Sequence, residues 1–151
     1  MGMFDAFAIS GSGLTAQRYR MDIIAENLAN VDTTRTQDGT PYRRKVVTFE
    51  EKGGSQGTSF GHALSRASRN YIGLGVRVDG VYEDTWSDMV MAYDPSHPDA
   101  DENGYVLYPN VKTVQEMTDL IDASRSYEAN ATAFQASKSM AMKALEIGGG
   151  Q

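Results

Sequence analysis

The chain has 151 residues, a formal net charge of −6 and no cysteine. This length suits about one domain, and its 40% apolar and 23% charged residues are ordinary for a globular protein. The acidic balance argues against nucleic acid as a partner, because phosphate binding needs a cationic surface. The lack of cysteine excludes disulfides, thiolate metal sites and a cysteine nucleophile. Without a long apolar run or a visible secretory leader, we expect no direct membrane insertion and no cleaved signal peptide.

The first segment, residues 1–32, carries a seven-residue repeat that predicts a helix over residues 4–31. The repeat consists of Phe7, Leu14, Met21 and Leu28, with companion positions Ser10, Gln17, Ile24 and Val31 three residues later. Gly11 and Gly13 weaken the first turns by about 1 kcal/mol each relative to alanine, so we expect regular helix from about Leu14. Asn27 and Asn30 lie near the end, where amide side chains can satisfy backbone groups as a helix turns into a loop.

The last segment, residues 111–151, carries a second repeat that predicts a helix over residues 111–147. Its members alternate at spacings of three and four: Met117, Leu120, Ser124, Tyr127, Ala131, Phe134, Lys138, Ala141 and Leu145. We expect Asn110 to be the N-cap of this helix. We also expect the negative charge of Glu116 to stabilise its first turns. The glycines at 148–150 are expected to end the helix.

The middle segment, residues 33–110, has the composition of short strands and turns. It is rich in Gly, Asp and Ser and contains all four prolines. Apolar and β-branched runs predict strands at residues 42–49, 76–82 and 89–93, and residues 53–61 are typical of a loop. Residues 79–102 contain eight acidic side chains and no Lys or Arg. This stretch is expected to be a solvated face or to meet a basic partner.

Together these segments predict an α+β fold. Its long N- and C-terminal helices pair as a coiled-coil-like hairpin, and a small β-rich region lies between them. A two-helix hairpin buries only one stripe on each helix. Further apolar residues lie off the assigned repeats, at Ile23, Ile121, Met140 and Met142. They indicate that additional helices, from other copies or other proteins, pack alongside.

One alternative function is calcium binding, because residues 99–104 match the first six positions of an EF-hand loop. The twelfth position, where a bidentate carboxylate belongs, is Asn110, and Pro95 and Pro98 stand where an entering helix is needed. An acidic turn is therefore favoured over a cation site. Ser96 beside His97 makes no nucleophile arrangement, since triad members converge from different elements. We expect no cofactor and no catalysis.

Several motifs resemble the flagellar axial proteins, the family of rod and hook subunits. The family's N-terminal signature matches AISGSGLTAQ at residues 8–17 and IAENLANVDT at residues 24–33. Three segments resemble the proximal rod subunits in particular: TRT at 34–36 leading to PYRRK at 41–45, YDPSHPDAD at 93–101, and ASRSYEAN at 123–130. The end, residues 138–147, also matches, whereas residues 51–70 match nothing recognisable. The runner-up is another short proximal rod protein, which lacks the segment at 93–101.

This resemblance implies a non-enzymatic subunit of the proximal rod, the periplasm-spanning drive shaft, exported through the flagellar type III apparatus without a cleaved leader. It also implies partners: further copies, the other proximal rod proteins and the adaptor that joins rod to export gate. We expect Asn27→Ala or Asn30→Ala to weaken assembly more than secretion. The residues predicted to carry assembly are Phe7, Leu14, Met21, Ile24, Asn27, Leu28, Asn30, Val31, Met117, Leu120, Tyr127, Phe134 and Leu145.

Overall fold

The structure is a computed structural model, and it describes residues 3–52 and 75–149. Its elements in chain order are helix α1 (Met3–Ala29), strands β1 (Lys45–Glu51), β2 (Val76–Glu83), β3 (Val90–Tyr93) and β4 (Tyr105–Tyr108), and helix α2 (Thr113–Gly148). The strands form two small sheets, β1 with β2 and β3 with β4. The predicted α+β class, with two long terminal helices and a β-rich middle, is confirmed. The predicted loop at 53–61 lies outside the described residues.

Helix α1 begins well before the residue that propensity suggested. It runs from Met3 through both glycines, so the expected start near Leu14 is wrong. Gly13 is buried, and a Cβ added to it would lie 2.7 Å from Oδ1 of Asn130 on α2. The missing side chain lets the two helices approach closely there, and this packing offsets the propensity cost. Gly11 has nothing within 4 Å of an added Cβ, so helix packing does not require a glycine at that position.

One asparagine follows the C-terminal end of α1 and another precedes the N-terminal end of α2, and the two have different roles. Beyond the end of α1, Nδ2 of Asn30 donates to the carbonyl oxygen of Glu26 at 2.9 Å, which confirms that this amide satisfies the helix end. The predicted N-cap at Asn110 is wrong, because α2 begins at Thr113. The Oδ1 of Asn110 instead accepts the N–H of Arg44 at 2.8 Å. Asn110 therefore holds a segment distant in sequence rather than its own helix.

Both sheets are antiparallel. At the two ends of the first sheet, the Lys52 N–H donates to the Gly75 carbonyl (2.7 Å) and the Asp84 N–H donates to the Arg44 carbonyl (2.8 Å). In the second sheet, β3 and β4 pair from Val90 opposite Tyr108 to Tyr93 opposite Tyr105. Strand β4 was missed in the sequence, because residues 99–110 were weighed only as a cation loop or an acidic turn. The sequence signal for this strand was the apolar run Tyr105–Tyr108, which follows the turn residues Asn103 and Gly104.

The chain divides into two compact units. The first comprises Met1–Arg18, Phe49–Asp79 and Arg125–Gln151, and the second comprises Tyr19–Thr48 and Gly80–Ser124. The predicted division at residues 32 and 110 stays a prediction.

Contacts within the first unit show how the helices pair. The rings of Phe7 and Phe134 meet edge to face with centroids 5.0 Å apart, and Gly13 approaches Asn130. As residue numbers increase along α1, the residue numbers of its contacts on α2 decrease. The two helices therefore pair antiparallel, as the sequence predicted. The Ser12 hydroxyl also accepts the Val76 N–H at 3.0 Å, which attaches the start of β2 to α1.

The second unit has a small apolar core. Its buried members are Ile24, Tyr42, Val106, Pro109, Val111 and Ala123. Polar residues are buried beside them, namely Asn27, Asn110 and Glu116. Among the described residues, no helix is both long and apolar enough to traverse a bilayer.

Candidate functional site

The candidate site is a buried polar network in the second unit, centred on Asn27 of α1. The Nδ2 of Asn27 donates to the Lys45 carbonyl oxygen (2.9 Å) and to Oε2 of Glu116 (3.0 Å). Its Oδ1 accepts the Tyr42 hydroxyl and the Lys45 N–H, each at 2.9 Å. Two donated and two accepted hydrogen bonds complete the capacity of a carboxamide. Asn27 is therefore saturated by partners inside the chain.

The geometry around Asn27 requires an amide. It binds both the N–H and the C=O of Lys45, the first residue of β1, as a neighbouring strand would. An aspartate at position 27 would lack the N–H donor, and a leucine would lack both the donor and the oxygen acceptor. The side chain thereby satisfies backbone groups that would otherwise be unpaired at the start of the strand, where burial makes an unpaired group costly.

Glu116 links the network to α2. Its side chain has 0% of its surface exposed, and Oε1 accepts Nε of Arg44 at 2.6 Å while Oε2 accepts Asn27. The Arg44 side chain is 24% exposed and also reaches Asp119 at 3.3 Å. A carboxylate removed from water is tolerated only when it is paired and hydrogen-bonded. Glu116 meets both conditions through residues from two other segments.

Asn110 extends the network to the turn after β2. Besides accepting the Arg44 N–H, it donates through Nδ2 to the carbonyl oxygens of Asp84 (2.9 Å) and Ser87 (3.2 Å). The Asp84 carboxylate in turn accepts the N–H groups of Trp86 and Ser87 and the Ser87 hydroxyl. These hydrogen bonds, that of the Ser87 hydroxyl foremost, hold the pKa of Asp84 below its ordinary value.

Tyr42 shows the electrostatic character of the network. Its burial, and after that the negative charges of Glu26 and Glu116, raise its pKa to about 12. The phenol therefore stays protonated at neutral pH and remains a donor to Asn27. Donors and acceptors here are paired with one another, so the arrangement suits the holding together of segments.

The residues predicted to carry assembly fall into three groups. Ile24 and Asn27 are buried. Partial burial is found for Phe7, Leu14, Met21, Leu28, Asn30, Val31, Leu120, Tyr127 and Phe134. Met117 and Leu145 are exposed, at 53% and 69%. Of these residues, the network includes Asn27, and the ring contact joins Phe7 to Phe134.

Comparison with known proteins supplies the family. Residues 7–36 match a model described as flagella basal body rod protein, and residues 102–147 match one described as flagellar basal body rod FlgEFG protein C-terminal. A protein of Bacillus subtilis named flagellar basal-body rod protein FlgC is 47% identical, covering 98% of this chain and 99% of that protein. The chain belongs to the FlgC family. FlgC proteins of Borreliella burgdorferi and Salmonella typhimurium are 46% and 39% identical, covering 97% and 98% of this chain and 98% and 99% of those proteins.

Sequence reasoning on this FlgC-family chain missed most of the network. Glu116 was the only network residue of α2 that was named, and Arg44 appeared only within the PYRRK motif at 41–45. Tyr42 was assigned to a strand, whereas β1 starts three residues later. An acidic residue set among apolar ones of a helical repeat is a weak signal, because its partners lie 72 and 89 positions away.

The EF-hand-like stretch of this FlgC-family chain forms turns held by its own backbone. Oδ1 of Asp101 accepts the N–H groups of Asn103 (2.9 Å) and Tyr105 (2.8 Å). Asp99 accepts the Thr34 hydroxyl at 2.8 Å. Within residues 3–52 and 75–149, no group of three or more His, Cys, Asp or Glu side chains is arranged to hold a metal ion. The hydrogen bonds that Asp101 accepts from the backbone form the acidic turn that the sequence favoured.

Proposed function

We propose that this chain is a structural subunit of the flagellar basal-body rod that polymerises through its two terminal helices. Its FlgC relatives are named as rod proteins and match it over nearly their whole length. The observation that carries the polymerisation step is the apolar surface of α2. Its exposed large apolar residues are Val114, Met117, Ile121, Met140, Met142, Leu145 and Ile147.

The spacing of these residues supports packing against further helices. Val114, Met117 and Ile121 are three and four positions apart, which places them on one face of α2. Near the end of the helix, Leu145 and Ile147 expose 69% and 84% of their surfaces. An exposed apolar helix face such as that of Val114, Met117 and Ile121 usually marks an interaction site. A polymer of such subunits buries these side chains and gains about 25 cal/mol per Å² of apolar area removed from water.

The proposal includes the place and the neighbours of the subunit. It lies in the proximal, periplasm-spanning part of the rod and leaves the cytoplasm through the flagellar type III apparatus without a cleaved leader. It contacts further copies, the other proximal rod proteins and the adaptor to the export gate. Residues 1–32 and 111–151 form its polymerising core, and residues 33–110 form its middle region. It is not an enzyme, in line with a network whose polar groups are engaged with one another.

The test is complementation of a strain that lacks its own copy of the gene. Leu145→Asp combined with Ile147→Asp places charges at exposed positions, so the chain should fold and be exported normally. We expect swimming to be lost and the chain to be absent from purified basal bodies while it accumulates in the periplasm. Gln135→Asp, at an exposed polar position of α2, is the matched control and should swim. Normal swimming by the double variant would contradict polymerisation through this helix.

A further inference from the structure

The hairpin of β3 and β4, in the second unit, carries an apolar and aromatic face that has no role in the network or in the helix surface discussed above. In the register of the hairpin, Met91 lies opposite Leu107 and Tyr93 lies opposite Tyr105. Because alternate residues of a strand share a face, these four side chains lie on one side of the hairpin. Each of them exposes between 41% and 66% of its surface, whereas Val106, on the other side, is fully buried. The hairpin therefore has one face on the core and one apolar face that is open.

The aromatic part of this face is fixed before any partner arrives. The rings of Tyr93 and Tyr105 meet edge to face with centroids 5.2 Å apart. The ring of Tyr93 also lies over Gly104, where an added Cβ would be 3.0 Å away. An exposed aromatic surface that is already rigid is well suited to binding, because little conformational entropy is lost when it is covered.

The outer edge of β3 presents backbone groups to a further strand. The Asp94 N–H donates to the Gly104 carbonyl oxygen at 3.0 Å. Hydrogen-bonded and non-hydrogen-bonded pairs alternate from there, so the N–H and C=O groups of Met91 and Tyr93 point away from β4. Within residues 3–52 and 75–149, these groups have no hydrogen-bond partner, and β3 pairs with β4 alone. An edge of this kind is where an extended segment of another protein can add as a strand.

The edge of β4 is closed at Tyr105. The Tyr105 N–H donates to Oδ1 of Asp101, and the Tyr105 carbonyl oxygen accepts the Asp101 N–H, each at 2.8 Å. A partner strand therefore finds free backbone groups on β3 rather than beside Tyr105.

Carboxylates surround the turn end of the hairpin. Asp94 follows β3 directly, and the exposed Asp101 and Glu102 precede β4. The nearby cation, Arg35, is paired with a further carboxylate, that of Asp99, at 3.6 Å. Negative charge is therefore in excess where β3 ends.

The other cations near the hairpin lie at its opposite end. Lys112 and Arg44 line a depression together with Val90. Val90 is opposite Tyr108, at the far end from the turn, and it alternates with Met91, so its side chain is on the buried side of the hairpin. Arg44 is also paired with Glu116. These cations therefore do not neutralise the carboxylates beside Tyr93 and Tyr105.

The charge of the second unit favours a partner other than this chain. The unit contains fourteen acidic and six basic side chains. Two such units repel each other, whereas a basic partner is attracted.

We propose that the outer edge of β3 binds an extended segment of a different protein, with apolar side chains at alternate positions and a Lys or Arg beside Asp94. The backbone of that segment adds a third strand through the N–H and C=O groups of Met91 and Tyr93. Its apolar side chains cover the open face of the hairpin. This contact lies outside the terminal helices and goes beyond the proposed polymerisation.

The test uses the full chain, isotope-labelled for NMR, and a synthetic peptide of alternating valine and threonine with a lysine at each end. We expect saturable shifts of the Met91 and Tyr93 amides, exchange of these amides with solvent that is about tenfold slower, and binding that weakens as salt increases. A peptide with glutamate at both ends should bind about tenfold more weakly. A lysine-ended peptide with alternate amides N-methylated should also bind about tenfold more weakly, because it cannot donate to the edge.

Variants of the chain test the same contacts from the other side. Met91→Pro removes an N–H that points away from β4, a position where an edge strand tolerates proline, and should weaken binding about tenfold. Met91→Leu keeps the N–H and an apolar side chain, so this matched control should bind like the unchanged chain. Asp94→Asn should weaken binding about threefold, as expected for one exposed ion pair. If Met91→Pro disturbs the hairpin, the N-methylated peptide tests the same hydrogen bonds on the unchanged chain.

Other outcomes overturn the inference. No shift at Met91 and Tyr93, or equal binding of the lysine-ended and glutamate-ended peptides, rules out this occupant. Slow exchange of the two amides in the dilute chain alone means that the chain covers its own edge. Slow exchange that appears only as the chain is concentrated means that a second copy is the occupant. These measurements do not involve α2, so they can fail while the basal-body assay succeeds, and the reverse also holds.

Discussion

Replacing Glu116 with alanine tests whether the buried network holds the second unit together. The change removes the acceptor of Arg44 Nε at 2.6 Å and of Asn27 Nδ2 at 3.0 Å. A buried amide proton without an acceptor costs about 1–3 kcal/mol. Breaking a buried ion pair costs about 3–5 kcal/mol in total. The Arg44 side chain is 24% exposed and keeps Asp119 at 3.3 Å, so we expect the lower part of that range, about 3 kcal/mol.

Two further variants separate the contributions. Glu116→Gln keeps an acceptor for Asn27 but loses the charge opposite Arg44, so it should cost about half as much as Glu116→Ala. Asp119→Ala removes the longer and more exposed ion pair, which is worth about 0.5–1 kcal/mol, together with a 3.5 Å hydrogen bond from exposed Gln115. A double-mutant cycle of Glu116→Ala with Asn27→Ala should give a coupling energy above about 1 kcal/mol, because the two side chains share a hydrogen bond.

The assay is urea unfolding followed by far-ultraviolet circular dichroism, with the free energy of unfolding taken from the midpoint and slope. A loss of about 3 kcal/mol is a large fraction of the roughly 5–15 kcal/mol that stabilises a typical domain. Should Glu116→Ala cost no more than Asp119→Ala, the burial of the pair does not control stability and the reasoning fails.

Four further substitutions test other parts of the structure. Because the pKa of Tyr42 is raised to about 12 from an ordinary value near 10, the folded state holds this proton more tightly than the unfolded state. The free energy of unfolding should therefore fall by up to about 3 kcal/mol as pH rises from about 10 to 12, and Tyr42→Phe should lack this component. Gly11→Ala should raise the free energy of unfolding, measured by urea denaturation, by up to about 1 kcal/mol. Gly13→Ala should lower it, because its Cβ would lie 2.7 Å from Oδ1 of Asn130; a gain equal to that of Gly11→Ala would contradict the close helix approach. Gln17→Met should add about 1 kcal/mol in the same assay, because the buried Oε1 of Gln17 has no hydrogen-bond partner among the described residues; a loss would show that this oxygen is satisfied.

Periodicity predicted both helices because a long repeat is a local signal. The expected ranges 4–31 and 111–147 compare with Met3–Ala29 and Thr113–Gly148. The errors occurred where tertiary contacts override propensity. Gly13 weakens an isolated helix, yet here it permits the approach of Asn130, a residue more than a hundred positions away. No local rule contains that information.

The network was harder to predict than the helices for the same reason. Asn27 was selected from the sequence, but as a residue for contacts between subunits. Its four partners turned out to be atoms of Tyr42, Lys45 and Glu116. Two of those hydrogen bonds go to backbone groups, which any residue at position 45 other than proline would offer. The identity of Asn27 could thus suggest a capping role, whereas the strand that it holds depended on the fold.

Stability of the single chain and its capacity to assemble should therefore depend on different residues. Asn27 and Glu116 direct their polar atoms inward and have partners there, so their loss should lower the free energy of unfolding of the monomer. Leu145 and Ile147 expose most of their surfaces, so replacing them should leave that free energy nearly unchanged and act only once other copies are present. Measurement of unfolding and of rod assembly on the same two sets of variants tests this separation. A single set that impaired both to the same degree would mean that folding and assembly are one process in this chain.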